Sequence, residues 1–151
     1  MAKRLAANTA HCLGREINLA GRAMRTLLDS RLSHAKTSFA TWSVLFVLDM
    51  EGPIIQRELP QRLDVEGPTL VRRLDQLEAE GLVLRSDSPS DRRATRVALT
   101  EAGRALFKRV RSSVSDTESE VIRELQPGDV ETTLRVLRHL IDKSRQLTKG
   151  R

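Results

Sequence analysis

The stretch PTLVRRLDQLEAEGLVLRSDSPSDRRATRVAL, residues 68–99, decides the reading of this chain. Pro68 suits the first position of a helix, where its missing N–H would have no partner anyway, and Gly81 suits the stop, because glycine accepts left-handed backbone angles. Between them, at about 100° per residue, Leu70, Leu74 and Leu77 share one side of the helix and Thr69, Arg72, Arg73 and Gln76 share another. The first side belongs in a core. The second presents two guanidiniums, an amide and a hydroxyl, groups that hydrogen-bond to base edges in a major groove and to the phosphates beside it. Glu80 falls on the polar side too, at the end of the helix away from the preceding turn. After Gly81, Leu82–Leu84 and Thr95–Leu99 read as two strands, joined by a tip around residues 88–93 too long and too charged for a tight hairpin turn. Such a ribbon fits the narrow minor groove of A·T-rich duplex, with Arg93 inserted, Asp91 orienting its guanidinium from two residues away, and Arg92 on phosphate. The competing reading is a solvated loop whose charges keep an edge ribbon soluble.

The chain has 151 residues, enough for one ordinary domain with its own core, and a net charge of +6 that suggests an anionic partner. The charge is unevenly placed. Residues 1–36 carry seven basic and two acidic side chains, residues 54–100 carry eight of each, and residues 101–151 carry eleven basic and eight acidic. If the neutral middle part binds DNA, its arginines must be sorted onto one face with Asp75, Glu78 and Glu80 mostly turned elsewhere, while the flanking helices supply the long-range positive field. Cys12 is the single cysteine, so no intrachain disulfide is expected. There is no apolar run near the roughly 18 residues of a membrane span and no charged-then-apolar leader, so a cytoplasmic protein without a membrane partner is expected, nucleoid-associated through its DNA binding. His11, His34 and His139 are scattered, no His or Cys cluster has metal-ligand spacing, and no glycine-rich phosphate loop appears. With no base readable beside Ser88, Ser90 or Ser112, the expectation is no catalytic residue, no metal and no cofactor: not an enzyme.

The flanks read as helices. Leu13, Ile17, Ala20, Met24, Leu27 and Arg31 recur at three- and four-residue steps, giving an amphipathic helix that ends near Leu32. A second helix starts after Thr37 or Ser38 as N-cap, turns Trp42, Leu45, Phe46 and Leu48 inward, and ends around Glu51-Gly52. Ile54-Ile55 is a brief extended link, Glu58–Leu63 a short helix with Pro60 in its first turn, and Asp64–Gly67 a turn with Gly67 as cap. Thr100 caps a helix carrying Leu106, Phe107, Val110, Val114 and Val121. After a Pro127-Gly128 break, a last helix repeats Val130, Leu134, Leu137 and Ile141. These outer helices either close the monomer's own core or form a platform for a second copy, whose twofold symmetry would set two reading helices about 34–36 Å apart, one turn of B-DNA.

The run Thr69–Leu82, the segment Ser90-Asp91-Arg92-Arg93-Ala94, the segment Leu99-Thr100-Glu101-Ala102-Gly103 and Trp42 together resemble the MarR family of bacterial winged helix-turn-helix regulators, especially its SlyA-like branch. The resemblance implies a mainly α fold with a small β wing, built as one domain over residues 1–151. Residues 37–100 are then the DNA-binding part and residues 1–36 and 101–151 the dimerisation helices. It implies a homodimer on a pseudo-palindromic double-stranded site, with the helix from Pro68 in the major groove and the wing in the minor groove. It also implies an effector, a small aromatic carboxylate or phenolic acid, and the positions resembling that pocket are Arg25, Ser38, Trp42 and Arg85. There the two guanidiniums would pair with a carboxylate and the indole would stack on a ring. A second sensing mode in the family oxidises a cysteine in the first helix, where Cys12 lies, but those sensors hold the cysteine with tyrosines and this chain has none. Two rival functions remain from the residues: an architectural or anti-silencing protein binding A·T-rich DNA without ligand response, and a protein-interaction module.

Overall fold

A computed structural model describes the backbone of residues 2–88, 91 and 93–150, and the side chains of residues 13–88, 91, 93–148 and 150. The chain is mostly helical with one small antiparallel sheet. It divides into two compact units, residues 1–115 and residues 116–151.

In the first unit, α1 (Ala2–Ser33) leads through a short turn to α2 (Phe39–Glu51). Ser38 caps α2: its side-chain oxygen accepts from the Thr41 N–H at 3.2 Å, satisfying one of the free donors of the first turn. Asp29 reaches across from α1 and accepts from the Phe39 N–H at 2.7 Å, placing a carboxylate at the positive end of α2. Ile54-Ile55 is not merely a link but a strand, β1, which pairs with β3 (Thr95–Leu99) through Ile54 opposite Val97. A 3-10 turn over Gln56–Glu58 runs into α3 (Leu59–Leu63), with Pro60 in its first turn as the sequence predicts. Asp64 ends α3 in the left-handed region at φ 51°, a conformation its short polar side chain tolerates.

Three residues later α4 (Gly67–Ala79) begins, so Gly67 is its first helical residue rather than its cap, and Glu66 takes the cap position without a side-chain bond. At the other end Gly81 lies at φ 69°, the Leu82 N–H bonds to the Leu77 carbonyl at 2.8 Å and the Gly81 N–H to the Glu78 carbonyl at 2.9 Å. This paired closure reverses the chain and feeds it directly into the ribbon. β2 spans Val83–Asp87 and pairs with β3 from Val83 opposite Leu99 to Asp87 opposite Thr95, giving the sheet order β1-β3-β2. Arg85, Ser86 and Asp87 extend this strand beyond the expected Leu82–Leu84, because the ladder needs only backbone groups.

The core of this unit has two parts. Val44, Leu45, Leu48, Ile54, Leu59, Leu70, Leu74, Leu77, Val83, Val97, Leu99 and Phe107 bury the helix-turn-helix against the sheet. Leu28, Leu32, Val110 and Val114 join α1 to α5 (Glu101–Ile122). All four aromatic side chains gather between them, Phe39 and Phe46 flanking Trp42 at 5.5 and 5.1 Å and Phe46 reaching Phe107 at 6.3 Å. Phe46 was expected inside, yet it is exposed on one side; Val44 takes the inner position. The face expected on α1 also differs. Among the described residues of this helix only the last turns are covered, by way of Leu28 and Leu32, while Leu13 and Ile17 stay exposed.

The second unit holds the end of α5 and α6 (Asp129–Lys149), which starts after Gly128 at φ 88°. Its predicted apolar face is present and largely open to solvent, with Leu134 at 44% and Ile141 at 49% of full exposure.

Candidate nucleic-acid interface

Leu70, Leu74 and Leu77 are buried under α4, which fixes its rotation. Pro68, Thr69, Arg72 and Gln76 are consequently exposed and Arg73 is half-buried, all on the stripe that the sequence assigns them. The polar groups of that stripe are connected. Arg73 donates through Nη1 to Oε1 of Gln76 at 3.1 Å, and Gln76 donates through Nε2 to Oε1 of Glu80 at 2.8 Å. Glu80 is therefore part of the exposed stripe and not turned away from it.

The other two acids of α4 are turned away, and the cause is Arg85. Its guanidinium, 20% exposed, donates through Nη1 to Asp75 at 2.7 Å and to Glu78 at 3.1 Å, and its own backbone N–H bonds to Glu78 at 3.1 Å. A further contact runs from Nη2 to the Val71 carbonyl at 3.4 Å. β2 is thereby tied to the flank of α4 opposite the stripe, and two carboxylates are neutralised where they would otherwise repel phosphate. On α3, Arg62 performs the same task for Glu51 at 2.7 Å and Glu58 at 3.3 Å; the hydrogen bond to Glu51 foremost raises its pKa. The overall neutrality of residues 54–100 is thus a sorted neutrality.

At the wing, the Ser88 N–H bonds to the Ala94 carbonyl and the Ala94 N–H to the Asp91 carbonyl, both at 2.9 Å, closing the base of the tip. Among the described residues, Asp91 meets the backbone of Arg93 and not its guanidinium as the sequence suggested. Its carboxylate accepts from the Arg93 backbone N–H at 2.9 Å, the turn geometry open to an Asp two residues before a free amide. It orders the backbone from which Arg93 projects, and Arg93 itself is exposed. Arg92 lies outside the described residues, as does the side chain of Cys12. A cleft of about 280 Å³ separates the start of α4 from the wing base and has both Arg57 and Arg93 in its walls, with Pro60, Gly67 and Val71. Arg57 was missed in the sequence, where an isolated arginine in a 3-10 turn carries no periodic signal.

The four positions expected to form an effector pocket are not brought together. Ser38 is occupied as a cap, Arg85 is held by Asp75 and Glu78, and Trp42 sits in the aromatic stack. Its indole N–H is buried without a partner among the described residues. Arg25 alone lines a cavity, one of about 160 Å³ between α1, α2 and α4, and its guanidinium lies 5.6 Å from the ring centre of Phe39. The other walls include Asp29, Val44, Leu63, Leu70 and, unanticipated, Arg73 from the exposed stripe. Among the described residues no group of His, Cys, Asp and Glu could hold a metal ion, and no helix is long and apolar enough to cross a membrane.

This geometry has close counterparts. The model of the MarR family matches residues 38–95. Among solved structures, a cysteine-to-serine mutant of MarR from E. coli, complexed with operator DNA, is 30% identical with a TM-score of 0.79, the match covering 88% of this chain and 96% of that one. The transcriptional regulator PA3341 is 34% identical with a TM-score of 0.81, covering 89% and 98%. AbsC, a MarR family transcriptional regulator from Streptomyces coelicolor, shares the fold at 22% identity with a TM-score of 0.81, covering 91% and 95%.

Proposed function

Because this chain belongs to the MarR family, whose members are DNA-binding transcriptional regulators, we propose that it binds a pseudo-palindromic double-stranded site as a homodimer. In this reading α4 enters the major groove with Thr69, Arg72, Arg73 and Gln76 toward the bases and phosphates, and Arg93 enters the adjoining minor groove. The observation that carries it is the sorting of charge about α4. Arg85 neutralises Asp75 and Glu78 on one flank, while Arg72, Arg73 and Gln76 stand on the other and Arg57 and Arg93 meet in the neighbouring cleft. One helix reads only a short half-site, so two copies are needed for specificity. The exposed apolar positions Leu13 and Ile17 of α1, and Leu134 and Ile141 of α6, supply material for joining them. Residues 1–36 and 101–151 accordingly serve as dimerisation helices around the binding part, 37–100. Within the family, the run Thr69–Leu82 favours the SlyA-like branch.

For the effector, an aromatic or phenolic acid remains our reading, with its place moved to the cavity walled by Arg25, Phe39 and Arg73. The volume of about 160 Å³ is close to that of cavities that hold a single ring, and the two guanidiniums answer a carboxylate. Footprinting on the DNA upstream of the protein's own reading frame, with and without salicylate-like acids, tests both parts. A protected palindrome released by the acid supports the reading. A broad A·T-rich footprint indifferent to ligand would mean an architectural protein, and no footprint with flat salt dependence would end the DNA-binding assignment.

A further inference from the structure

Gln76 stands in the middle of the exposed stripe of α4 with both ends of its amide engaged, Oε1 accepting from Arg73 at 3.1 Å and Nε2 donating to Glu80 at 2.8 Å. The two neighbours admit only this orientation. A guanidinium offers donors alone and an ionised carboxylate acceptors alone, so turning the amide over would set N–H against N–H and oxygen against oxygen. Each end keeps spare capacity, one lone pair on Oε1 and one hydrogen on Nε2.

From this geometry we infer that Gln76 specifies adenine in each half-site and that Glu80 is a positioning residue, holding the Gln76 amide in its reading orientation. The inference rests on the proposed entry of α4 into the major groove and goes beyond it by naming a base. Adenine presents there an amino donor at N6 beside an acceptor at N7, which the free lone pair and the free N–H of the amide meet together. Guanine presents two acceptors at the same place and leaves the amide oxygen facing another oxygen. Glu80 adds nothing to attraction, since its charge opposes the phosphates. Its contribution is a fixed donor-acceptor order, set before DNA arrives, so that less side-chain freedom is lost on binding.

The test is selection from a duplex library with one half-site randomised, using the full chain at fixed salt, for the natural protein and for Gln76→Ala, Glu80→Ala and Glu80→Gln. Binding to the selected site and its single-base changes is then titrated. The natural protein should prefer adenine at one position of the half-site by about tenfold, and Gln76→Ala should lose the preference there and nowhere else. Glu80→Ala should weaken the same preference severalfold and leave the preferences at the other positions of the half-site in place. Glu80→Gln should retain it, because an amide oxygen still accepts from Gln76 although the charge is gone. An adenine preference undiminished in Glu80→Ala overturns the inference. So does a different base lost in Gln76→Ala, an equal loss in both Glu80 variants, or a loss spread over all positions. Failure of the natural protein to select any duplex overturns the DNA-binding reading itself, and the inference with it.

Discussion

Arg85 and Arg93 lie eight residues apart in sequence and do opposite work with the same chemical group. Arg93 is exposed on a backbone ordered by Asp91, and has its charge available to a partner. Arg93→Ala is expected to cost about 1–3 kcal/mol of DNA binding with the oligomer unchanged; equal affinity at matched salt would remove the wing from the interface. Arg85 is spent inside the protein on Asp75 and Glu78. Those carboxylates are about half exposed, so solvent screening discounts the pair, and Arg85→Ala is expected to lower stability by only about 1 kcal/mol in urea denaturation. Its larger consequence should be on DNA affinity, since two acids are released beside α4 and β2 loses its tie. A variant with wild-type affinity would show that the wing holds its position without this pair. That Arg72 and Arg73 fall on the side of α4 away from the buried leucines was legible from their spacing alone. The internal employment of Arg85 was not, because Asp75, Glu78 and the strand meet only after the chain reverses at Gly81.

At the scale of elements, the decisive junction is where α5 crosses the start of the ribbon. Thr100 donates to the Gly81 carbonyl at 2.6 Å and accepts from the Gly103 N–H at 3.0 Å, so one hydroxyl caps α5 and anchors it to the end of α4. At Gly103 the helix passes so close to the chain that a Cβ would overlap the Leu82 carbonyl oxygen. Replacing an ordinary helical glycine by alanine stabilises a helix by up to about 1 kcal/mol. Here the overlap with rigid backbone prevails, and Gly103→Ala should destabilise the protein by about 1–3 kcal/mol, seen as a lower urea midpoint; a raised midpoint would refute the close approach. The cap at Thr100 was readable in the sequence, whereas the demand for glycine three residues later was not, since it arises from Leu82, twenty-one residues before Gly103.

For the whole molecule the expected partner is a second copy. The apolar faces of α1 near Leu13 and of α6 near Leu134 lie open in the single chain. Leu134→Glu should yield monomers by light scattering and reduce affinity for the palindrome by roughly a hundredfold, because the second half-site is then no longer tethered. A dimer surviving this change would place the interface elsewhere. The charge map adds a prediction for the intact protein. Asp75 and Glu78 are paired with Arg85, so the logarithm of affinity should fall with the logarithm of salt at a slope set by the exposed arginines and the basic flanks. Arg93→Ala should reduce that slope by about one if the side chain works through phosphate and leave it nearly unchanged if it reads the groove by shape.

The sequence by itself determined the main helices and the facing of α4, because helical periodicity, Pro68 and Gly81 act within one turn or two of the chain. The leucines then dictate which side remains for Arg72, Arg73 and Gln76. It also exposed the neutrality of residues 54–100. Only the tertiary structure decided how that neutrality is distributed: Arg85 with Asp75 and Glu78, Arg62 with Glu51, and Glu80 with Gln76 on the exposed stripe itself. It likewise drew Arg73 into the cavity with Arg25 and left Arg85 out. Pairings of this kind join segments separated by turns, and their geometry follows from how helices and strands pack, which no local pattern of residues records.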